Sequence, residues 1–193
     1  MKIYIISDTH FFHYNIIEYC HRGFSDEYHM NEKIITNWNS IVTQDDVVFH
    51  LGDLSAGLSG RQLELKNIIG KLNGKIHLIR GNHDHLSEEE YLDYGIKSVS
   101  DYKVIDKTLL VHYPLDGPCT KYTPIVDVYK EIYNDFNCEY LFHGHSHHVP
   151  DAKLNAFNAS VDINNFKPLL VDDIFEKVFN RNITQQEYIR EQF

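Results

Sequence analysis

Short apolar runs that end in polar side chains alternate with longer stretches of helical periodicity through the first half of the chain. Buried strands are predicted at residues 2–7, 47–51 and 75–79, because each run is rich in β-branched or aromatic residues. Apolar positions three and four residues apart predict amphipathic helices at residues 29–42 and 61–72. This alternation of strand and helix is typical of parallel βαβ units and predicts an α/β fold.

The pattern changes near residue 99. Two apolar runs separated by a polar pair predict a β-hairpin across residues 102–112. The remaining predicted elements are a helix at residues 124–136, short strands at 140–142 and 157–163, and one or two helices in the polar tail at 171–193.

Length and charge limit the classes of function. A chain of 193 residues predicts a single domain spanning residues 1–193. The formal net charge of −10 argues against nonspecific binding to nucleic acid, which needs clustered Lys and Arg. No apolar run approaches the roughly 20 residues of a membrane helix, so no membrane association is predicted.

Cysteine content and the first residues indicate the compartment. Cys20, Cys119 and Cys138 are an odd number at unrelated spacings, which we interpret as reduced thiols. The apolar run near Met1 is shorter than the about 7 to 15 residues of a signal peptide's apolar region. A cytoplasmic location is therefore predicted.

Five segments place metal-binding side chains directly after an apolar run, in a chain that contains 13 histidines. Open α/β sheets bind ligands at the carboxyl ends of their strands, so these side chains are expected to lie close together. Each segment alone is equally well explained as a polar turn or a loop histidine, and only the joint pattern predicts a metal site. The side chains concerned are Asp8, His10, Asp53, Asn82, His83, His112, His145 and His147.

The mixture of imidazole, carboxylate and amide groups favours borderline transition metals over thiolate chemistry. A hydrolytic pair of cations, roughly 3.5 to 4 Å apart, needs one ligand shared between them, and the Asp53 carboxylate is the natural candidate. We predict two divalent ions, with manganese preferred over iron, nickel, cobalt or zinc. Such a pair lowers the pKa of bound water toward about 7 and neutralises phosphoryl charge, which predicts in-line hydrolysis of a phosphate ester.

Five motifs follow one another in a fixed order. They are Asp8-Thr9-His10, Gly52-Asp53, Gly81-Asn82-His83-Asp84, His112 and Gly144-His145-Ser146-His147. Together they resemble the calcineurin-like metallophosphoesterase family. The resemblance implies a four-layer α/β/β/α sandwich with mixed sheets, a dinuclear metal centre at the sheet edges and attack by a metal-bound hydroxide.

The resemblance also implies a role for each residue. His83 is similar to the family's unliganded histidine, which stabilises the transition state or protonates the leaving oxygen, with Asp84 orienting its ring. The implied ligands are Asp8, His10 and His147 for one metal, Asp53 as the bridge, and Asn82, His112 and His145 for the other.

Four further residues are candidates for substrate contact. His13 and Arg22 follow the first ligand pair closely, although a solvated loop would explain them equally well. Arg80 could bind a phosphate through two hydrogen bonds, whereas an arginine beside a loop is more often an ion-pair partner. Tyr113 adjoins His112 and could reach the same substrate.

The predicted function is hydrolysis of a small phosphodiester or phosphomonoester, with nucleotides among the candidate substrates. The subclass of Ser/Thr protein phosphatases is disfavoured, because Gly52-Asp53 continues as Leu54-Ser55 without an Asp-Arg-Gly extension. Two alternatives stay open: a catalytically silent metal-binding scaffold, and a nuclease, which the acidic charge opposes. The sequence leaves the natural substrate, the preferred ester, the physiological metal and the oligomeric state open.

Overall fold

The computed structural model describes residues 1–116 and 123–192, in which strands and helices alternate. Its strands are β1 (Ile3–Ile6), β2 (Val47–His50), β3 (Lys75–Ile79), β4 (Ser98–Ser100), β5 (Tyr102–Ile105), β6 (Thr108–Val111), β7 (Tyr140–His143), β8 (Ala156–Asn158) and β9 (Leu169–Leu170). Its helices are α1 (Tyr14–Tyr19), α2 (Glu27–Asn39), α3 (Gln62–Lys71), α4 (Glu88–Tyr94), α5 (Thr123–Asp135), α6 (Val171–Ile174), a π-helical turn (Phe175–Phe179) and α7 (Gln185–Gln192).

Two mixed sheets organise these elements. The first has the strand order β4-β3-β2-β1-β9, in which only β9 runs antiparallel to its neighbour. The second has the order β5-β6-β7-β8, in which β5 pairs antiparallel with β6 and the others pair in parallel. Parallel neighbours bring their carboxyl ends to the same edge, so the loops after β1, β2, β3, β6 and β7 emerge together.

Three apolar layers separate four layers of secondary structure. Successive residues of β1 point to opposite faces, so Tyr4 packs toward the helices on the outer face of the first sheet while Ile5 lies between the sheets. Trp38 of α2 is fully buried in the outer layer and donates a hydrogen bond to the Asn73 carbonyl at 2.9 Å. A third cluster joins the second sheet to α5, for example through Tyr129. The predicted α/β/β/α sandwich with mixed sheets is confirmed.

Local signals explain where two of the helices begin and end. Asp26 accepts a hydrogen bond from the His29 amide at 2.8 Å and so caps the start of α2. Ser87 and Glu90 form a capping box at the start of α4, and Gly95 ends that helix with a φ of 111°. The sequence pattern did not predict α4, because Tyr91 is its one fully buried residue and apolar periodicity is missing.

The structure changes some of the predicted boundaries. The strand predicted at residues 157–163 is wrong beyond Asn158, since β8 ends there and the chain turns. Asn164 stabilises this turn by donating to the carbonyls of Asn158 and Ser160. Neither β4 nor β9 was predicted. No helix within the described residues is both long enough and apolar enough to cross a membrane.

Candidate metal centre

The loops at the carboxyl ends of five strands bring all the predicted metal ligands to one edge of the sandwich. They form two groups, which we name after their order in the chain. Cluster A consists of Asp8, His10 and His147, whose candidate ligand atoms all lie within 4.8 Å of one another. Cluster B consists of Asp53, Asn82, His112 and His145.

Cluster B converges on one ring nitrogen. His112 Nε2 lies 3.3 Å from Asn82 Oδ1, 3.2 Å from His145 Nδ1 and 3.5 Å from Asp53 Oδ2. The other nitrogen of this ring, Nδ1, lies 2.8 Å from the carbonyl oxygen of Leu51. A donated hydrogen bond at Nδ1 leaves Nε2 with a free lone pair, which is the tautomer that a metal ligand needs.

Asp53 lies between the two clusters. Its Oδ2 atom is 3.3 Å from His10 Nε2 of cluster A and 3.5 Å from His112 Nε2 of cluster B. Its other oxygen, Oδ1, accepts a hydrogen bond from the His83 amide at 2.8 Å. One carboxylate oxygen therefore faces both groups of ligands, as the predicted bridging role requires.

A metal pair fits the donor atoms that these residues present. His10 Nε2 is buried and makes no hydrogen bond within the described residues, although it lies close to Asp53. A buried imidazole nitrogen without a hydrogen bond is costly unless another partner, such as a metal, takes its lone pair. The nitrogen and oxygen donors together suit divalent transition metals, and no cysteine belongs to either cluster.

Five of the predicted ligands have left-handed backbone conformations, with φ between 45° and 66°. Residues other than glycine rarely adopt such angles, and where they do the cost is of order 1 to 3 kcal/mol each. Here the sharp turns direct side chains from the strand ends into one place. The five residues are Asp8, His10, Asp53, His145 and His147.

Close approach of the main chains depends on three glycines. A Cβ atom on Gly52, whose φ is 94°, would come within 2.6 Å of His112 Nδ1. A side chain on Gly81 would collide with Asp53, and one on Gly144 would collide with Ser7 and with the Asp8 carboxylate. Gly81 is thus needed for the space it leaves beside Asp53.

Mutual charge sets the protonation of the ligands. Burial raises the pKa of Asp53, but His112 and His10 together outweigh it and hold that pKa well below its usual range. Burial lowers the pKa of His112, yet the Asp53 carboxylate outweighs this effect and raises it to about 9. Burial and the charge of His112 lower the pKa of His145 to about 4. A metal that binds at His112 Nε2 must therefore displace a proton, whereas His145 is already neutral at neutral pH.

His83 and Asp84 occupy different environments. The His83 ring is half-buried, its centroid lies 5.1 Å from that of His10, and it makes no hydrogen bond within residues 1–116 and 123–192. The buried Asp84 carboxylate accepts instead from the amides of Asp53, Leu54 and Gly81, at 2.8 to 3.0 Å. The expectation that Asp84 orients the His83 ring therefore disagrees with these contacts. Asp84 holds the main chain beside Asp53.

Arg22 has a structural environment in place of the predicted substrate contact. Its side chain is fully buried and forms an ion pair with Asp162, with nitrogen to oxygen distances of 2.8 and 2.9 Å. It also donates to the carbonyl oxygens of Asp8 and Thr9. These contacts contradict the expected role, because the guanidinium cannot reach a substrate without breaking them.

Sequence reasoning missed Asp162, which completes this network. Its Oδ2 atom lies 2.8 Å from His147 Nδ1 and so orients the ring of a cluster A ligand. Burial lowers the pKa of His147, but the hydrogen bonds to Asp162 and Cys20 together outweigh it and raise that pKa to about 10. A carboxylate shortly after a strand was the available signal, since β8 ends four residues earlier.

The other substrate candidates have separate outcomes. Arg80 donates through Nη1 to the carbonyl oxygens of Asp84 and Leu86 and lies over the Tyr91 ring, and its contact with substrate stays a prediction. His13 lies beside the site, with Nδ1 3.1 Å from His10 Nδ1, and burial and the charge of His10 lower its pKa to about 4. Its contact with substrate stays a prediction.

Tyr113 is buried in the wall of cluster B. Its ring centroid lies 4.9 Å from that of His112 and 4.8 Å from that of His145. Both contacts are edge-on, which packs the phenol ring against two ligand rings. Its predicted contact with substrate also stays a prediction.

A family model and known proteins match much of this chain. Residues 1–161 match the family model described as the calcineurin-like phosphoesterase superfamily domain. The chain is 35% identical over 184 residues to the uncharacterized protein MJ1445 of Methanocaldococcus jannaschii, covering 92% of this chain and 91% of that protein. It is 34% identical over 79 residues to the Gene 66 protein of Mycobacterium phage L5, covering 40% of this chain and 37% of that protein.

One solved structure has a similar fold over most of the chain. The protein of unknown function AQ665 from Aquifex aeolicus superposes with a TM-score of 0.76 and 32% sequence identity. The match covers 91% of this chain and 98% of the Aquifex chain. The similarity thus extends past the strands that carry clusters A and B.

Proposed function

The chain belongs to the calcineurin-like phosphoesterase superfamily, and we propose that it hydrolyses a small phosphodiester or phosphomonoester with the help of two divalent cations. Manganese is the proposed metal, and nucleotides are among the proposed substrates. One observation carries this proposal: Asp53 Oδ2 faces His10 Nε2 at 3.3 Å and His112 Nε2 at 3.5 Å. A carboxylate in that position can serve both clusters at once.

The proposed mechanism divides the work among the side chains. When bound, the two cations would supply a nucleophilic water at neutral pH and would neutralise charge on the phosphoryl group. Asp8, His10 and His147 would hold one cation, while Asn82, His112 and His145 would hold the other, with Asp53 shared. Asp8, His10, Asp53 and His112 are buried, which strengthens the electrostatic contacts made at this site.

His83 is the proposed general acid. Its ring stands beside cluster A, with its centroid 5.1 Å from that of His10 and 5.6 Å from that of the neighbouring His13. The backbone amide of His83 is fixed by Asp53 Oδ1, which positions the ring beside the bridging carboxylate. The ring can then hold a proton close to the leaving oxygen and transfer it as the ester bond breaks.

The experiment uses manganese-loaded protein with bis-p-nitrophenyl phosphate and p-nitrophenyl phosphate. His83→Ala should retain both metals by elemental analysis and lose roughly 10²- to 10⁴-fold in kcat, the usual contribution of a general acid. His29→Ala, which changes an exposed histidine of α2, is the matched control and should keep wild-type rates. Loss of a cation in His83→Ala would contradict the assigned role.

The two alternatives are a nuclease, which the net charge of −10 opposes, and a catalytically silent metal-binding scaffold. The scaffold would bind the two cations and turn over neither nitrophenyl ester nor any member of a panel of cyclic nucleotides. The acid residue His83 and every cluster ligand are present, so the site offers complete catalytic machinery, which favours the enzyme.

A further inference from the structure

A cavity of about 360 Å³ opens directly beside His83. One wall is the segment after β2 that contains Leu58, Ser59 and the first residue of α3. The opposite wall is the turn after β3, which carries His83 and His85. The volume falls within the roughly 300 to 1,000 Å³ of small-molecule sites in proteins. The proposed general acid, His83, thus forms part of the wall of a cavity of this size.

The lining combines apolar surfaces with available polar groups. Leu58 and Leu86 provide the apolar surfaces. Ser59, Gln62 and His85 are exposed, and their side chains make no hydrogen bonds within the described part of the chain. An amide such as that of Gln62 offers a donor and an acceptor side by side. This combination suits a flat heterocycle with apolar faces and a hydrogen-bonding edge.

The position of His83 determines which part of a substrate enters the cavity. When the ester is cleaved, the oxygen of a water molecule bonds to phosphorus, and the bond from phosphorus to the leaving oxygen breaks with its electron pair on that oxygen. The leaving oxygen takes the proton from His83, and the proton lost by the water returns to His83 through solvent. The leaving group must therefore lie on the side of His83, where the cavity opens.

We propose that this cavity binds the nucleobase of a leaving nucleoside, so that the preferred substrates are phosphodiesters of nucleosides. The inference rests on the proposed function, because it extends the role of His83 to the choice of leaving group. Leu58 and Leu86 contact the faces of the base, and Gln62 bonds its edge. A purine or pyrimidine presents adjacent donors and acceptors of the kind that the amide complements.

Another cavity, of about 340 Å³, lies between the two sheets. It opens at the amino-terminal ends of the strands, near Ile3, Thr108 and Tyr140, and its lining is mainly apolar. The ligands of clusters A and B lie at the opposite ends of these strands, so a group bound there is remote from the reacting phosphorus.

The first test compares two diesters on manganese-loaded protein. Adenylyl-3′,5′-adenosine has a nucleoside leaving group, whereas the nitrophenyl ring of bis-p-nitrophenyl phosphate lacks the paired donor and acceptor edge. In Gln62→Ala the ratio of kcat/KM for the dinucleotide to kcat/KM for the nitrophenyl ester should fall roughly 3- to 10-fold, the effect of one lost hydrogen bond. Glu64→Ala, an exposed change on the same helix, should keep the wild-type ratio.

The second test requires no turnover. Adenosine is titrated at millimolar concentrations into metal-free protein while the side-chain amide signal of Gln62 is followed by nitrogen-15 NMR. Saturable shifts of that signal, with weaker binding in Leu58→Ala, are expected.

The outcomes separate the two proposals. Hydrolysis of the nitrophenyl diester with an unchanged ratio in Gln62→Ala, or with no adenosine shift, would overturn the nucleobase site and leave the proposed function standing. Saturable adenosine binding in a protein that hydrolyses neither diester would support nucleobase binding in the cavity but would overturn both the proposed function and the leaving-group role.

Discussion

Clusters A and B contain similar ligands but are supported in different ways. In cluster A the support comes from charged side chains, since Asp162 orients His147 and is itself paired with the buried Arg22. In cluster B the supporting groups act through the main chain, since the Leu51 carbonyl holds His112 and the Asp84 carboxylate holds the amides around Asp53.

The difference shows two ways of positioning a ligand. Cluster B depends on neighbouring parallel strands, whose pairing brings the end of β2 next to the end of β3. Cluster A depends on an ion pair between residues 140 positions apart in the chain. A substitution of Asp162 should therefore affect cluster A selectively, whereas cluster B should respond to changes in the shared carboxylate, in Asp84 or in the main chain.

The largest effect is expected from Asp53→Asn, because this substitution changes the carboxylate that faces both clusters. The amide cannot bridge two cations as a carboxylate does, so both sites should weaken together. Turnover of bis-p-nitrophenyl phosphate should fall by at least about 100-fold. Elemental analysis after dialysis should find less than one metal per chain. Retention of two metals would show that Asp53 is not shared.

Asp162→Asn should affect cluster A alone. Loss of a carboxylate behind a metal-bound histidine typically costs about 10- to 100-fold in metal affinity. At limiting manganese the metal content should therefore fall from two ions per chain to one. The variant should also lose roughly 3 to 5 kcal/mol in its free energy of unfolding, measured with urea, because the buried Arg22 cation is left unpaired.

A double variant separates these two consequences. Arg22→Leu combined with Asp162→Asn removes the unpaired cation, so stability should return toward the wild-type value while metal affinity stays low. Equal loss of metal from both clusters in the single variant would contradict the separate support inferred for them.

The smallest effect is expected from a substitution of His50, and it depends on pH. His50 Nε2 lies 2.9 Å from Thr9 Oγ1, which also donates to the Leu54 carbonyl and so joins the loop after β1 to the end of β2. Burial lowers the pKa of His50 to about 3, from its ordinary value of 6.5. Between these values the unfolded chain binds more protons than the folded one, so stability falls as pH decreases through this window.

The measurement is the free energy of unfolding of metal-free protein in urea between pH 6 and pH 4. His50→Gln keeps a donor toward Thr9 but does not titrate. The slope of its free energy of unfolding against pH should be smaller than the wild-type slope. The difference should be up to about 1.4 kcal/mol per pH unit, which is the value for one proton. Parallel curves for wild type and variant would show that His50 does not set this dependence.

The sequence predicted that the candidate ligands of cluster B lie close together, because the signal for each of them is local. Each follows an apolar run of β-branched or aromatic residues, and the parallel order of strands places the run ends together. The same reasoning found Asp8 and His147 but not Asp162. The predicted strand at residues 157–163 placed Asp162 inside a strand, where no functional role was expected.

The arginines could not be assigned for a related reason. The sequence shows that Arg22 and Arg80 are cations. It does not show which carbonyl oxygens surround them after folding. The short elements β4 and β9 were missed because three and two residues are too few to show a period of two.

The strand β9 lies beyond residue 161, where the family match ends. It pairs with β1, and the helical segment after it places Ile174 and Val178 between the two sheets. A fragment cut at residue 161 would expose the edge of β1 and open one side of this apolar layer. Unpaired strand edges promote intermolecular association. A shortened protein that ends where the family-model match ends, at residue 161, should therefore be less stable and more prone to association than the longer chain.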